Sequence, residues 1–220
     1  INVSDLNPLK QLGSLFRVAH VRWLLLAFFF YFLPFSHLIA NLTILLKDSL
    51  GWHATEAGLA SSAIGVIDIL VQGMLVGLLL PILGNVKLGN WSLVLVGISY
   101  ILLGLMAWTA SPLLLIAGGV LFAGASGLVE NALRGLTSSM ASASQQGLIS
   151  GACQSMESLA LIVGPLLGGW LYSTTDHAVP YLGGTIMIVL AIVSVLLAVA
   201  ARPASPAPAE AEAAEVKIQA

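Results

Sequence analysis

Long apolar stretches alternate with short polar segments along most of this chain. Each stretch has about 20 residues or more, the length that an α-helix needs to cross roughly 30 Å of hydrocarbon. The six stretches run from Trp23 to Leu46, Leu59 to Leu83, Trp91 to Ala110, Leu113 to Leu136, Gly147 to Leu171 and Val179 to Ala200. Strands of a membrane barrel would be about half as long and would alternate in polarity. The pattern predicts an all-α membrane protein with six transmembrane helices over residues 23–200.

The two ends of the chain differ from this middle part. In residues 1–22, Asn7 and Pro8 suit a helix start, and apolar residues follow at helical spacing. We expect a cytoplasmic approach segment with a short interfacial helix there. Residues 201–220 are rich in Pro, Ala and Glu with little to bury, which predicts a disordered cytoplasmic tail.

Charge sets the expected orientation. Seven of the eight basic residues fall at one set of alternating helix ends, and only Lys47 falls at the other. The positive-inside bias then predicts that both termini are cytoplasmic, in what we expect to be a bacterial inner membrane. No basic cluster suggests nucleic acid. The single Cys153 gives neither a disulfide framework nor a metal-ligand spacing, so we expect no metal and no cofactor.

Polar side chains are shared unevenly among the predicted helices. The third and sixth carry only hydroxyl groups, which suits a lipid-facing position. The other four carry polar residues that lie four apart, or within one turn, on one helix face. These are His37 and Asn41, Asp68 and Gln72, Glu130 and Arg134, and Gln154 and Ser158 flanking Glu157.

The acids are the strongest functional signal. A charged side chain at mid-depth costs about 2.5 to 3.5 kcal/mol on the insertion scale, so such residues face a protein interior or a solute pathway. Glu130 and Arg134 are predicted to form an ion pair, with a structural, gating or solute-binding role. Asp68 and Glu157 have no cation at their depth except His37, so either could couple proton movement or contact the solute. His37, Asn41, Gln72 and Gln154 are predicted to line the same cavity, or else to hydrogen-bond between helices.

Small residues and prolines suggest where helices approach or bend. Glycine and small residues recur at four-residue spacing, which favours close helix packing. The stripes are Gly73 and Gly77; Gly119, Ala123 and Gly127; and Gly147, Gly151 and Ser155. Pro165, beside Gly164, lies inside its predicted helix and is a candidate hinge.

The run Gln146 to Tyr172, QGLISGACQSMESLALIVGPLLGGWLY, gives a family resemblance. Together with the helix order, it resembles the carboxy-terminal half of a major facilitator superfamily transporter, a 3+3 inverted repeat, nearest to the drug:proton antiporter branch. The match rests on the QG and GPLLGG motifs. The loop after the second helix keeps Gly77, Leu79 and Gly84 of the family signature, but Pro81 and Ile82 replace its acid and base, which argues against a charged gate latch there.

The resemblance implies a function. It implies half of a secondary transporter that moves a small amphiphilic or cationic solute by proton-coupled alternating access. It also places the predicted helices one, two, four and five around the cavity, the same four that carry polar pairs. Because family members use two halves and this chain begins at Ile1 without Met, we expect an amino-terminal six-helix half that is missing or separate, or a second copy of the chain.

Two other hypotheses remain open. The chain could be a non-transporting structural or assembly subunit of a larger membrane complex. A six-helix channel is a weaker alternative, since no filter sequence is visible. No phosphate-binding, zinc-protease or nucleophile-elbow motif is present in the sequence, so we do not expect an enzyme.

Overall fold

The computed structural model describes residues 13, 15–140 and 145–202. These residues fold into five helices: α1 Ala19–Leu50, α2 Ala54–Thr109, α3 Pro112–Met140, α4 Gln146–Thr174 and α5 Val179–Ala200. No strand occurs within these ranges, so the predicted all-α class is confirmed. The predicted tail, apart from residues 201 and 202, and most of the predicted interfacial segment lie outside the described residues.

The predicted count of six separate helices is not confirmed, because the second and third stretches form the single run α2. Gly84 interrupts this run with φ 69° and ψ 166°, a left-handed backbone that favours glycine. We call residues 54–83 the first arm of α2 and residues 85–109 its second arm.

The chain reverses direction at Gly84. A Cβ atom placed on Gly119 would lie 3.3 Å from Ile64 of the first arm, and one on Gly118 would lie 3.2 Å from Leu103 of the second arm. An unbroken helix would separate these two arm residues by roughly 60 Å. The arms therefore run in opposite directions, and both lie along α3.

Helix α1 forms the centre of the bundle. It packs against α4 and α5, while α2 packs against α3 and α5. Tyr31 and Phe32 of α1 are buried, and their rings meet edge to face with centroids 4.9 Å apart. The first arm is different, because one face touches α3 while most of its apolar side chains are exposed, Ile69 at 71% and Ile82 at 78%.

The two ends of the bundle carry opposite charge. At the end where α1 begins, α2 reverses and α5 finishes, the described residues include Arg17, Arg22, Lys87 and Arg202 but no acid. At the other end Lys47 is accompanied by three acids, Asp48, Glu56 and Asp176. The described residues thus carry the charge asymmetry on which the predicted orientation rests.

Candidate functional site

Asp68 lies on the first arm and is held by neutral hydrogen-bond donors. The Gln72 side-chain amide donates to Oδ2 at 2.9 Å, and the Ser126 hydroxyl of α3 donates to Oδ1 at 3.1 Å. The Tyr31 hydroxyl of α1 donates to the Ser126 backbone carbonyl at 3.2 Å. No cation lies within 4.0 Å of Asp68 among the described residues. These hydrogen bonds, which we call the Asp68 group, therefore connect α1, α2 and α3 without an ion pair.

Gly127 explains how the first arm comes so close to α3. A Cβ atom at this position would lie within 3.0 Å of the Gln72 side chain. Gly119 likewise lies close to Ile64 of the first arm. The close-packing interpretation thus holds for this stripe. It does not hold within the described chain for Gly73 and Gly77, or for Gly147 and Gly151, where a Cβ atom added to the glycine would meet no other part of the described chain within 4 Å.

Arg134 pairs with a different acid from the one predicted. Its guanidinium Nη2 lies 3.4 Å from Glu157 Oε2, across the gap between α3 and α4. Within the described ranges no ion pair closer than 4.0 Å joins Arg134 to Glu130. The expected Glu130–Arg134 pair is therefore replaced by an Arg134–Glu157 pair in this conformation. Glu157, expected to lack a cation, has one.

The ion pair is unequal in exposure. The side chain of Arg134 is 51% exposed and that of Glu157 only 11%. Beside Arg134 lies a cavity of about 170 Å³, lined by Phe28, Arg134, Thr137, Ser150 and Cys153. Helices α3 and α4 make few direct contacts, so this pair bridges a crevice between them.

Glu130 is one turn before Arg134 on α3 and is only partly buried. No hydrogen bond or ion pair within 4.0 Å connects its carboxylate to another side chain in the described part of the chain. The four-residue spacing places Ser126, Glu130 and Arg134 on one face of α3. This face links the Asp68 group to the Arg134 pair.

His37 and Asn41 form the predicted pair, but as part of a separate packed group. The Asn41 amide nitrogen lies 2.9 Å from His37 Nδ1, and the histidine is 3% exposed. Its ring centroid is 5.2 Å from that of Tyr181 on α5. His37 Nε2 is buried without a partner among the described residues. No described contact connects this group with Asp68.

The proposed hinge residues lie where α4 meets α1. A Cβ atom on Gly164 would come closer than 3.0 Å to both the Ser36 hydroxyl oxygen and the Leu33 carbonyl oxygen. The Ser36 hydroxyl also donates to the Ala160 carbonyl at 3.0 Å. Pro165 lies inside α4, which remains helical from Gln146 to Thr174. Gly164 is therefore a close-packing position, and a hinge role for this pair stays a prediction.

Gln154 is exposed on α4, and its side chain makes no hydrogen bond with another described residue. It does not join the other candidate residues. Sequence reasoning missed several hydroxyls that connect helices, among them Tyr31, Ser126 and Ser36. Ser126 could have been found by extending the Glu130 and Arg134 spacing one turn toward the start of α3.

A second cavity lies between the first arm and α3. It has a volume of about 400 Å³ and an almost wholly apolar lining. Ile64 and Ile67 contribute from the first arm and Leu115 and Gly119 from α3. Asp68 follows Ile67 directly along the chain, so this apolar space adjoins the turn that carries the carboxylate.

Together these features define a class of protein. The five helices are long and apolar enough to cross a membrane, and polar side chains from several of them contact one another. The chain is an integral membrane protein. The family model described as the Major Facilitator Superfamily matches residues 24–220, so the chain belongs to this family. The predicted family membership is confirmed.

Curated relatives agree with this assignment. The chain is 28% identical over 190 residues to the tetracycline resistance protein, class D, of Salmonella ordonez, covering 84% of this chain and 46% of the relative. It is 29% identical over 175 residues to the class G protein of Vibrio anguillarum, covering 78% and 40%. The class H protein of Pasteurella multocida is 27% identical over 152 residues, covering 68% and 36%. The chain thus spans less than half the length of these relatives.

Proposed function

We propose that this chain is the carboxy-terminal half of a secondary active transporter that moves a small amphiphilic or cationic solute by proton-coupled alternating access. Membership of the Major Facilitator Superfamily supports transport. The names of the relatives, which refer to resistance to a drug, agree with the drug:proton antiporter branch that the sequence resembles. The apolar cavity of about 400 Å³ beside the first arm suits the apolar part of such a solute.

The observation that carries this proposal is the environment of Asp68. Its two oxygens accept hydrogen bonds from Gln72 and Ser126, and no described cation balances its charge. A carboxylate at membrane depth without a counter-ion is costly, so a proton or a solute cation is needed to neutralise it. A proton on Oδ1 would make this oxygen a donor, so the Ser126 hydroxyl would have to rotate and accept instead. The state of Asp68 therefore acts on the joint between the first arm and α3.

The first arm is suited to move relative to its surroundings. It is attached to the bundle on its α3 side, and its other faces are exposed. Gly73 and Gly77 leave open space on this arm, as do Gly147 and Gly151 on α4. We propose that these faces pack against an amino-terminal six-helix half or a second copy, and that membrane lipid covers the remaining apolar surface.

The orientation proposed from charge places both termini in the cytoplasm of a bacterial inner membrane. The end with Arg17, Lys87 and Arg202 would then be cytoplasmic, and the end with Asp48 and Asp176 would be outside. No catalytic step is assigned to the chain.

The test compares two modes of transport in proteoliposomes made from the protein expressed from its own gene. Tetracycline and benzyltrimethylammonium are the solutes. Asp68→Asn mimics the protonated carboxyl, so it should retain exchange of solute across the membrane but lose accumulation driven by a pH gradient. Asp48→Asn, which changes an acid at the bundle end, is the matched control and should accumulate solute normally.

The alternatives give different results. Normal accumulation by Asp68→Asn with loss in Glu157→Gln would assign proton coupling to α4. If neither variant changed accumulation, or if the unaltered protein moved neither solute and co-purified with stoichiometric partners, the structural-subunit hypothesis would replace this one.

A further inference from the structure

We propose that Arg134 is an internal counter-cation, which holds Glu157 while no solute is bound and moves to Glu130 when the cationic group of a solute takes its place. This inference rests on the transporter function proposed above. It assigns Glu157 as the counter-ion of the solute and Glu130 as the second acceptor for arginine. Neither role follows from the ion pair expected from the sequence.

The geometry of the pair supports an exchangeable contact. One nitrogen of Arg134 meets one oxygen of Glu157, at 3.4 Å, which is longer than the roughly 2.7–2.9 Å of a strong charge-assisted hydrogen bond. Glu157 is nearly buried, so its ionised form needs a cation at all times. Arg134 is half exposed on a flexible side chain, so it is the partner that can leave.

Glu130 supplies a place for the displaced arginine. It lies four residues before Arg134 on the same helix, a spacing at which an acid and a base can pair. Its carboxylate makes no ion pair within 4.0 Å in the described residues. One guanidinium therefore serves two acids, and movement of the arginine by one turn exchanges which of them is neutralised.

The cavity beside Arg134 can receive a cation once the arginine side chain has left, because the other residues that line it are uncharged. The Thr137 hydroxyl, which lines the cavity, donates its proton to the Leu133 carbonyl at 3.0 Å, and its oxygen lies 3.8 Å from the Cys153 sulfur. Phe28 adds an aromatic ring to the lining, and ring faces attract cations. Departure of the arginine side chain would also enlarge this space next to Glu157.

A counter-cation and a purely structural ion pair predict opposite effects on solute binding when Arg134 is removed. If Arg134 competes with the solute, removing its charge should strengthen solute binding. If Arg134 only stabilises the fold, removing it should weaken binding or leave it unchanged. Loss of Glu130 should weaken binding when Arg134 is present, because the displaced arginine has no acceptor. It should have a much smaller effect once Arg134 is absent.

The experiment measures equilibrium binding of benzyltrimethylammonium, whose charge cannot be removed by deprotonation, to the purified protein expressed from its own gene. Arg134→Gln should bind about fivefold more tightly, the equivalent of one partly exposed ion pair. Glu130→Gln should bind about fivefold more weakly, and Arg134→Lys should bind like the unaltered protein. Arg134→Gln with Glu157→Gln should lose binding. Arg17→Gln, an exposed arginine outside the pair, is the matched control and should show no change.

Neopentylbenzene, the uncharged isostere of the probe, distinguishes failure of the proposed solute class from failure of the role of Arg134. If the unaltered protein binds benzyltrimethylammonium no better than neopentylbenzene, the proposed cationic solute class fails, and this inference fails with it. If the unaltered protein binds the cation but Arg134→Gln binds it less tightly, the counter-cation role alone is overturned. Should Arg134→Gln not fold, Glu130→Gln still decides, because unchanged binding in that variant contradicts the exchange.

Discussion

Replacing Gly164 with alanine should separate α1 from α4. The added Cβ would approach the Ser36 hydroxyl and the Leu33 carbonyl oxygen to less than 3.0 Å. The carbonyl belongs to the backbone of α1 and cannot rotate away. Overpacking of this kind costs about 1–3 kcal/mol. Loss of the hydrogen bond from Ser36 to Ala160 adds about 0.5–1.5 kcal/mol.

A control variant in the same GPLLGG motif isolates the contact between Gly164 and α1. Gly169 has nothing within 4 Å of its added Cβ, and alanine there gains up to about 1 kcal/mol of helix propensity. Gly164→Ala receives the same gain, so the difference between the two variants is the cost of the contact, about 1.5–4.5 kcal/mol. Gly164 also precedes Pro165, which restricts a residue with a Cβ. Gly168→Ala, which would press on His37 and has no following proline, is therefore the second contact variant.

The measurement can use the single cysteine. Cys153 is 2% exposed in the bundle, so a fluorogenic maleimide should react with it only after unfolding. The midpoint temperatures of thermal unfolding in detergent rank the variants by stability. A reversible titration with sodium dodecyl sulfate gives the free energies of unfolding. If Gly164→Ala and Gly168→Ala are both as stable as Gly169→Ala, the close approach of α1 and α4 is wrong.

Two further predictions concern the ends of the bundle. In a cysteine-free background, a cysteine at Ser142 should react with an impermeant thiol reagent only from the cytoplasmic side, and one at Thr175 only from outside; labelling of the first from outside would reverse the orientation. The Ala178 backbone N–H and the Trp108 indole donate to Asp176 and lower the pKa of its carboxyl below the usual 3.8. The stability this provides should be complete above pH 3.8 and fall away as the pH drops through the lower folded-state pKa, so the stability difference between the unaltered protein and Asp176→Asn should shrink in acid. A difference that stays constant with pH would contradict the assignment.

The features that sequence predicted best are those set within a single helix. The length of an apolar stretch and the four-residue period follow from helix geometry alone. They gave the spans and the hydrogen-bonded partners His37 and Asn41 as well as Asp68 and Gln72. Spacing along one helix does not predict which side chains of different helices pair with each other. The spacing within one helix paired Arg134 with Glu130 and left Glu157 without a basic partner other than His37. Only the packing of α3 beside α4 brings Arg134 to Glu157.

The same limit explains the glycine stripes and the reversal of α2. Spacing alone does not tell which stripe meets a helix of this chain. Gly127 does so because Gln72 lies against it, whereas Gly73 and Gly147 face open space. Gly84 was recognised as part of a loop signature, but the tightness of the reversal depends on its left-handed backbone. A single residue there leaves the flanking arms helical.

The three intramembrane acids have three different environments, and all of them involve α3. Asp68 accepts a hydrogen bond from Ser126, Glu157 pairs with Arg134, and Glu130 belongs to α3 itself. A proton at Asp68 would act on the joint between α3 and the first arm, while a cation at Glu157 would act on the joint between α3 and α4. Because Ser126 and Arg134 share one face of the same helix, a change at either joint can shift the other through one rigid element. In the proposed mechanism, α3 is therefore where proton binding and solute binding are coupled, and neither Asp68 nor Glu157 needs to touch the other.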